Sequence, residues 1–290
     1  MKRFVSLGLM LVGLLPSFGE EVKGTSKFYA IQPDLVVPPV EAVAPAAGKR
    51  VVMTSSGWEG TDVHHVLYLP KDWKAGSKLP VLVEYAGNGG YRSPLGDACD
   101  GVVEGCNLGY GLSGGMGFIW ISMPFVEVVN GKKQNAIKWW GDVEETKRYC
   151  LATTKEVCEK FGGDPERMVL CGFSRGAIAC NFIGLHDDAI AKVWRGFFCH
   201  SHYDGVREKQ WYPGGDRVSA LARLARLKGR PQWISHETSV AETQNYLQGM
   251  KADGRFTFAP LPFPNHTDAW LLRDLPIRDQ ARAWLKDVVR

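Results

Sequence analysis

The sequence predicts an α/β domain, with a mostly parallel central sheet of about eight strands and helices on both faces. Three observations predict it. From about residue 50 short apolar runs alternate with helical patterns, the order that builds a parallel sheet covered by helices. A helical stretch over 142–161 stops at Gly162-Gly163, and the tight turn Asp164-Pro165 leads into the apolar run Met168-Val169-Leu170-Cys171. That run ends in Gly172-Phe173-Ser174-Arg175-Gly176 and a stretch with helical character follows at once. Strand, sharp turn and helix in this order push a serine Oγ clear of a sheet, with small neighbours that let strand and helix approach closely.

In chain order, the first 19 residues read as an export signal: Lys2 and Arg3 are basic, residues 4–18 are apolar, and Ser17 and Gly19 are small residues at −3 and −1 before Glu20. No cysteine follows the apolar segment, so no lipid anchor is expected, and no later run is long enough to span a bilayer. Residues 20–48, rich in Pro, Val and Ala without periodicity, read as an extended leader. Residues 49–290 read as one catalytic domain, with strands over 50–54, 64–69, 80–85, 117–123, 167–172, 194–200, 231–235 and 255–260. Helices are expected over 142–161, 175–185, 218–228, 241–252 and 277–289.

Hydrophobic residues make up 45% of the chain, ample for one core, and α/β folds of this length commonly form one domain. Lys and Arg exceed Asp and Glu by only four, and cleavage of the signal would halve that excess. This is far from the basic surplus of a nucleic-acid binder, so no nucleic-acid partner is expected. Seven cysteines is an odd number. Cys99 and Cys106, flanking a short glycine-rich loop, are the best candidate disulfide in an oxidising compartment. Cys171, Cys180 and Cys199 fall in apolar runs as small buried hydrophobes.

A serine hydroxyl needs a base within hydrogen-bond reach and a group that orients the base. Ser174 is the candidate nucleophile. Gly111-Leu112-Ser113-Gly114-Gly115 fits the same pattern but lies in a glycine-rich loop with no strand before it. The block Asp164-Pro165-Glu166-Arg167, an apolar run and Gly172-Phe173-Ser174-Arg175-Gly176 resembles the approach to the nucleophile in the α/β-hydrolase superfamily. Within it, the chain is similar to secreted esterases of the feruloyl, acetyl-xylan and polyester-depolymerase kind. The resemblance covers roughly residues 52–288; the block is fairly specific for the superfamily and poorly specific for substrate.

The resemblance implies the chain order serine, acid, histidine. His266, on a loop after the last expected strand and before the C-terminal helix, is the candidate base. Relatives place an Asp after the preceding strand, often followed by x-x-Val-Pro; Glu237 fits that frame with Glu for Asp and Ala241 for Pro. Asp204, after the strand before, is the alternative acid. For the oxyanion the expected donors are the backbone N–H of Arg175, at a helix N-terminus, and that of Asn88, in Ala86-Gly87-Asn88-Gly89-Gly90 where relatives carry an H-G-G-G-like sequence. Asn265-His266-Thr267 also matches a glycosylation sequon, which a base at His266 makes a coincidence.

Two other constellations carry less. His200, His202 and Asp204 alternate at a strand end, with the two histidines on one side, but no fourth ligand is evident and no metal is expected. The run over 105–117 lacks the ending of a phosphate loop, so no nucleotide or other cofactor is implied. Trp139, Trp140, Tyr203, Trp211 and Tyr212 fall in the long connections on the ligand-binding side of such a sheet, and suit sugar rings or phenolic acyl groups as well as a covered core. The expected protein is a secreted or periplasmic serine esterase of an acetyl or feruloyl type acting on polysaccharide, since no long apolar lid is evident. The alternatives are a serine peptidase of the same fold and an inactive glycan-binding module. Nothing in the sequence bears on oligomeric state.

Overall fold

Residues 27–207 and 212–290 are described in the computed structural model of the chain. The expected export signal over 1–19 and Trp211 lie outside the described residues. The leader runs into β1 (Val40–Glu41), followed by β2 (Arg50–Met53), β3 (His65–Tyr68) and β4 (Leu79–Tyr85). A short ribbon of β5 (Tyr91–Arg92) and β6 (Ala98–Cys99) precedes α1 (Leu108–Ser113) and β7 (Ile119–Met123). Next come the hairpin of β8 (Phe125–Val129) and β9 (Lys132–Ala136), then α2 (Val143–Phe161), β10 (Gly163–Phe173), α3 (Arg175–Phe182), α4 (Asp188–Ala191) and β11 (Gly196–His200). The chain closes with α5 (Arg217–Leu224), β12 (Pro231–Glu237), α6 (Ala241–Gly249), β13 (Arg255–Leu261) and α7 (Pro276–Val288).

Among the described residues nine strands form one sheet in the order β1-β2-β3-β7-β4-β10-β11-β12-β13. Within it β3 runs against its neighbours β2 and β7, and the other pairings are parallel. The eight expected strands all take part, and β1 of the leader adds the ninth at the edge.

The central strands read as continuous apolar runs because both faces are covered. Successive residues of β10 point to opposite faces. Leu170 joins the core under α2, α3, α5 and α6, with Tyr149, Cys180, Leu224 and Leu247, while Val169 and Cys171 join the core under α1 and α7, with Leu112 and Leu285. Helix α2 starts where the Asp142 carboxylate accepts the Glu145 N–H at 2.9 Å and stops at Gly162 in the left-handed region (φ 76°).

Three features differ from the sequence reading. The Gly111–Gly115 stretch, expected to be a loop, closes α1, and the Ser113 Oγ donates to the Gly109 carbonyl at 2.8 Å. Its glycines have poor helix propensity. What holds its first turn is the buried Glu84 carboxylate of β4, which accepts the N–H groups of Asn107, Leu108 and Gly109 at 2.8–3.1 Å. That cap lies far away in sequence. The hairpin β8–β9 turns at Asn130 (φ 51°) and Gly131 (φ 78°), the Asn-Gly turn that suits strand twist, but its second strand, Lys132-Lys133-Gln134-Asn135, has no apolar alternation. Finally, all seven cysteines are free. β6 carries Cys99 to the wall of the pocket beside Ser174, whereas Cys106 is buried where a short turn packs on β3 and β7, so the expected Cys99–Cys106 disulfide does not form.

Burial gives one titration a definite sign. His65 on β3 is 2% exposed, touches the Tyr149 hydroxyl at 2.9 Å, and is pushed down to about 3 by loss of solvent. In the unfolded chain the same group takes a proton near pH 6.5. Its contribution is therefore complete above about pH 6.5 and is lost as pH falls toward 3. Relative to His65→Gln, the wild type is expected to lose about 1 kcal/mol of stability per pH unit between pH 6 and 4. Urea midpoints of both proteins across that range check it; a difference independent of pH would show that His65 does not titrate in this way.

Candidate active site

β10 delivers Ser174 at a strained turn, with φ 54° and ψ −113°, a backbone conformation that costs an L residue about 1–3 kcal/mol. The Ser174 N–H is held by the His200 carbonyl of β11 at 2.9 Å. A Cβ at residue 172 would stand 2.2 Å from the Gly176 carbonyl oxygen, and one at residue 176 would stand 1.9 Å from the Tyr85 carbonyl oxygen. Only glycine at both positions lets the turn close this tightly.

The loop after β13 brings His266 over this turn. Its Nε2 lies 3.0 Å from Ser174 Oγ and its Nδ1 2.8 Å from Glu237 Oε1. A carboxylate only accepts, so Nδ1 carries the proton and Nε2 is free to accept from the serine. The imidazole is packed by Phe173 (ring centroids 4.7 Å), Tyr91 (4.9 Å) and His202 (5.3 Å). Glu237, the last residue of β12, is buried. Burial works against its charge, yet the contacts with His236 (2.8 Å) and His266 outweigh it and hold its carboxyl well below the usual range. The Ser201 hydroxyl, on a residue at φ 81°, donates to the same carboxylate.

Asp204, the alternative acid, does not reach His266. It is buried in a two-point ion pair with Arg223 (2.9 and 3.1 Å) and accepts from the Tyr212 hydroxyl at 3.0 Å. Nor do His200, His202 and Asp204 converge, because the left-handed backbone of Ser201 breaks the strand alternation. His200 turns inward, with Nε2 on the Thr267 carbonyl at 3.0 Å and Nδ1 on Ser235 Oγ at 3.1 Å, while His202 lines the pocket. Burial holds both imidazoles low, at about 4 for His200 and about 3 for His202. Among the described residues no group of three or more His, Cys, Asp or Glu is arranged to hold a metal ion.

Ser174, Arg175 and Asn88 line one cavity of about 520 Å³. Arg175 opens α3, so its N–H points out of the helix start, while the Asn88 side chain accepts the Trp139 N–H at 2.8 Å. The Arg175 side chain has a role the sequence did not suggest. It is 2% exposed and lies over the Phe125 ring at 4.2 Å. It donates to the carbonyls of Trp139 (2.7 Å), Gly101 (3.3 Å), Ala136 (3.4 Å) and Ala86 (3.5 Å). One guanidinium thus ties the serine turn to the loop after β4 and to the end of the β8–β9 hairpin.

Of the aromatic candidates, Trp139, Tyr203 and Tyr212 line the cavity. Trp140 does not: it is 5% exposed and packs in the core against Phe182 (4.6 Å) and Phe125 (5.5 Å). Both indoles pack on Tyr212 (ring centroids 6.2 and 5.0 Å), and of the two Trp139 is the one that reaches the cavity surface. The cavity wall also includes Tyr91, His202 and His236, for which the sequence offered no more than loop or strand-end histidines and a tyrosine beside Gly-Gly. Asn265 of the sequon is wholly buried, its amide donating to Asp97 at 2.8 Å, which leaves no room for a glycan.

No family model matches the chain, and no curated protein matches it. Solved structures do. An S-formylglutathione hydrolase from Agrobacterium tumefaciens superposes with a TM-score of 0.57 at 13% identity, covering 84% of this chain and 97% of that one. A Thermogutta terrifontis esterase 2 gives 0.52 at 16%, covering 84% and 94%. A protein assigned as dipeptidyl aminopeptidase IV from Bacteroides ovatus gives 0.54 at 12%, covering 82% of this chain, which spans only 35% of its length. The chain has the α/β-hydrolase fold.

Proposed function

We propose that the protein is a secreted serine esterase that removes acetyl- or feruloyl-type groups from polysaccharide. The observation that carries the reading is the unbroken run of contacts from Ser174 Oγ to His266 to Glu237, opening on a cavity. Ser174 Oγ attacks the ester carbonyl as His266 Nε2 takes its proton, and the oxyanion meets the N–H groups of Arg175 and Asn88, each such donor worth about 3 kcal/mol. His266 returns the proton to the departing alkoxide, leaving an acyl-serine; water, deprotonated by the same imidazole, releases the acid. Glu237 keeps the imidazole in the required tautomer and stabilises its charged form. Trp139, Phe173 and Tyr212 give the cavity flat apolar surface for a sugar or phenolic ring.

The peptidase reading draws on the Bacteroides likeness alone, with the coverage stated above. A fluorophosphonate probe tests the serine mechanism, and the Thermogutta esterase of the same fold is one that paraoxon phosphorylates. Labelling at Ser174 is expected. Hydrolysis of acetylated, feruloylated and methyl-glucuronate model esters, run beside aminoacyl amides, then assigns the substrate. No labelling and no ester turnover would leave the glycan-binding reading; amide cleavage faster than ester cleavage would make it a peptidase.

A further inference from the structure

The segment that carries His266 has no regular secondary structure between β13 and the turn at residues 269–272, yet its imidazole must keep contacts at both nitrogens at once. Something other than a helix or strand has to hold it. The N-terminal segment and this loop meet at one buried carboxylate. Asp97, just before β6, is 1% exposed. Its Oδ1 accepts from the Tyr29 hydroxyl at 2.9 Å and the Asn265 amide at 2.8 Å. Its Oδ2 accepts from the Ser93 hydroxyl at 2.8 Å and from the peptide N–H of His266 itself at 3.1 Å. A buried carboxylate is costly unless it is hydrogen-bonded, and its bonds are roughly twice as strong as neutral ones. Two of the four donors are consecutive residues of the loop.

Tyr29 belongs to the leader, which the body of the domain anchors in turn. Arg273 lies over the rings of Phe28 (4.3 Å) and Tyr29 (5.3 Å) and donates to the Ile31 carbonyl at 2.8 Å, and Phe28 packs on Phe263 at 4.6 Å. Asp34 pairs with Arg278 of α7 through both oxygens.

We propose that Asp97 is a positioning residue for His266, and that through Tyr29 the N-terminal segment is part of the scaffold that aims the imidazole. The proposal rests on the reading of His266 as the base. A carboxamide at residue 97 has one acceptor oxygen and brings a donor of its own, so it cannot satisfy four donors. Asp97→Asn is expected to lower kcat about 10²-fold, the loss that goes with a misplacement of about 1 Å, while KM moves less than about twofold. Rates are taken per site, from titration with the fluorophosphonate, so that a misfolded fraction does not count. Tyr29→Phe, which leaves the carboxylate in place, is expected to cost about threefold with KM unchanged; it carries the test if Asp97→Asn does not fold.

Hydrogen exchange at the His266 amide reads the contact without any substrate and should be at least about tenfold faster in Asp97→Asn, or in Tyr29→Phe by a smaller factor. Wild-type kcat per site in the variants, or a wild-type exchange rate at that amide, would overturn the proposal. Faster exchange in a protein whose wild type neither labels nor hydrolyses esters would leave Asp97 as the organiser of the loop and remove His266 as base, so the two ideas fail separately.

Discussion

Ser174→Ala is expected to lower ester hydrolysis by about 10⁴- to 10⁶-fold while the protein stays folded. The methyl group fits the same turn and leaves the Ser174 N–H bond to the His200 carbonyl in place, so thermal unfolding should shift little. What is lost is the atom 3.0 Å from His266 Nε2. Ser113→Ala is the matched control. Its hydroxyl closes the last turn of α1, donating to the Gly109 carbonyl and accepting the Gly115 N–H, and the rate should stay within about twofold, as for most substitutions away from a site. Steady-state rates on one model ester, with circular dichroism of both variants, decide it. Comparable losses from the two substitutions, or most of the activity left in Ser174→Ala, would sink the serine mechanism.

Glu237→Gln is expected to cost about 10²- to 10⁴-fold in kcat, because the amide can no longer stabilise the imidazolium and presents either of two groups to Nδ1. Asp204→Asn should behave in the opposite way. It leaves the Arg223 guanidinium with half of its pairing in a buried setting, a loss of about 3 kcal/mol or more in stability, with kcat per folded molecule nearly unchanged. Urea unfolding and active-site-titrated kcat for both variants separate the two roles. A large kcat loss in Asp204→Asn with a small one in Glu237→Gln would move the acid to the end of β11.

The residues that meet at the candidate site were legible because local chemistry marks them. The Gly-Gly stop, the apolar run and the glycines at 172 and 176 announce β10, the elbow and α3 without help from the rest of the chain, although Asp164-Pro165, expected as a turn before the strand, lies within β10 where its register with β4 shifts. Glu237 ends a strand that reads as an apolar run, and His266 stands on the loop after the last expected strand. What stayed hidden depends on contacts between distant positions. Helix α1 forms on glycines because Glu84 of β4 caps it, and β9 is a charged strand held by its partner rather than by a buried face. Asp97 carries no local mark in the sequence; only the tertiary structure puts Tyr29, Ser93, Asn265 and His266 around it. Which of two adjacent aromatics reaches the cavity was equally out of reach, as Trp139 and Trp140 show.

The grip of Arg175 has a consequence for how such a molecule can change over generations. Its four acceptors are main-chain carbonyls, and every residue type supplies one. At the wall position Trp139 the bond therefore survives a change of side chain. New side chains can be tried there without loosening the backbone frame around Ser174, so the surface that meets a substrate is free to drift while the spacing around the serine is inherited intact.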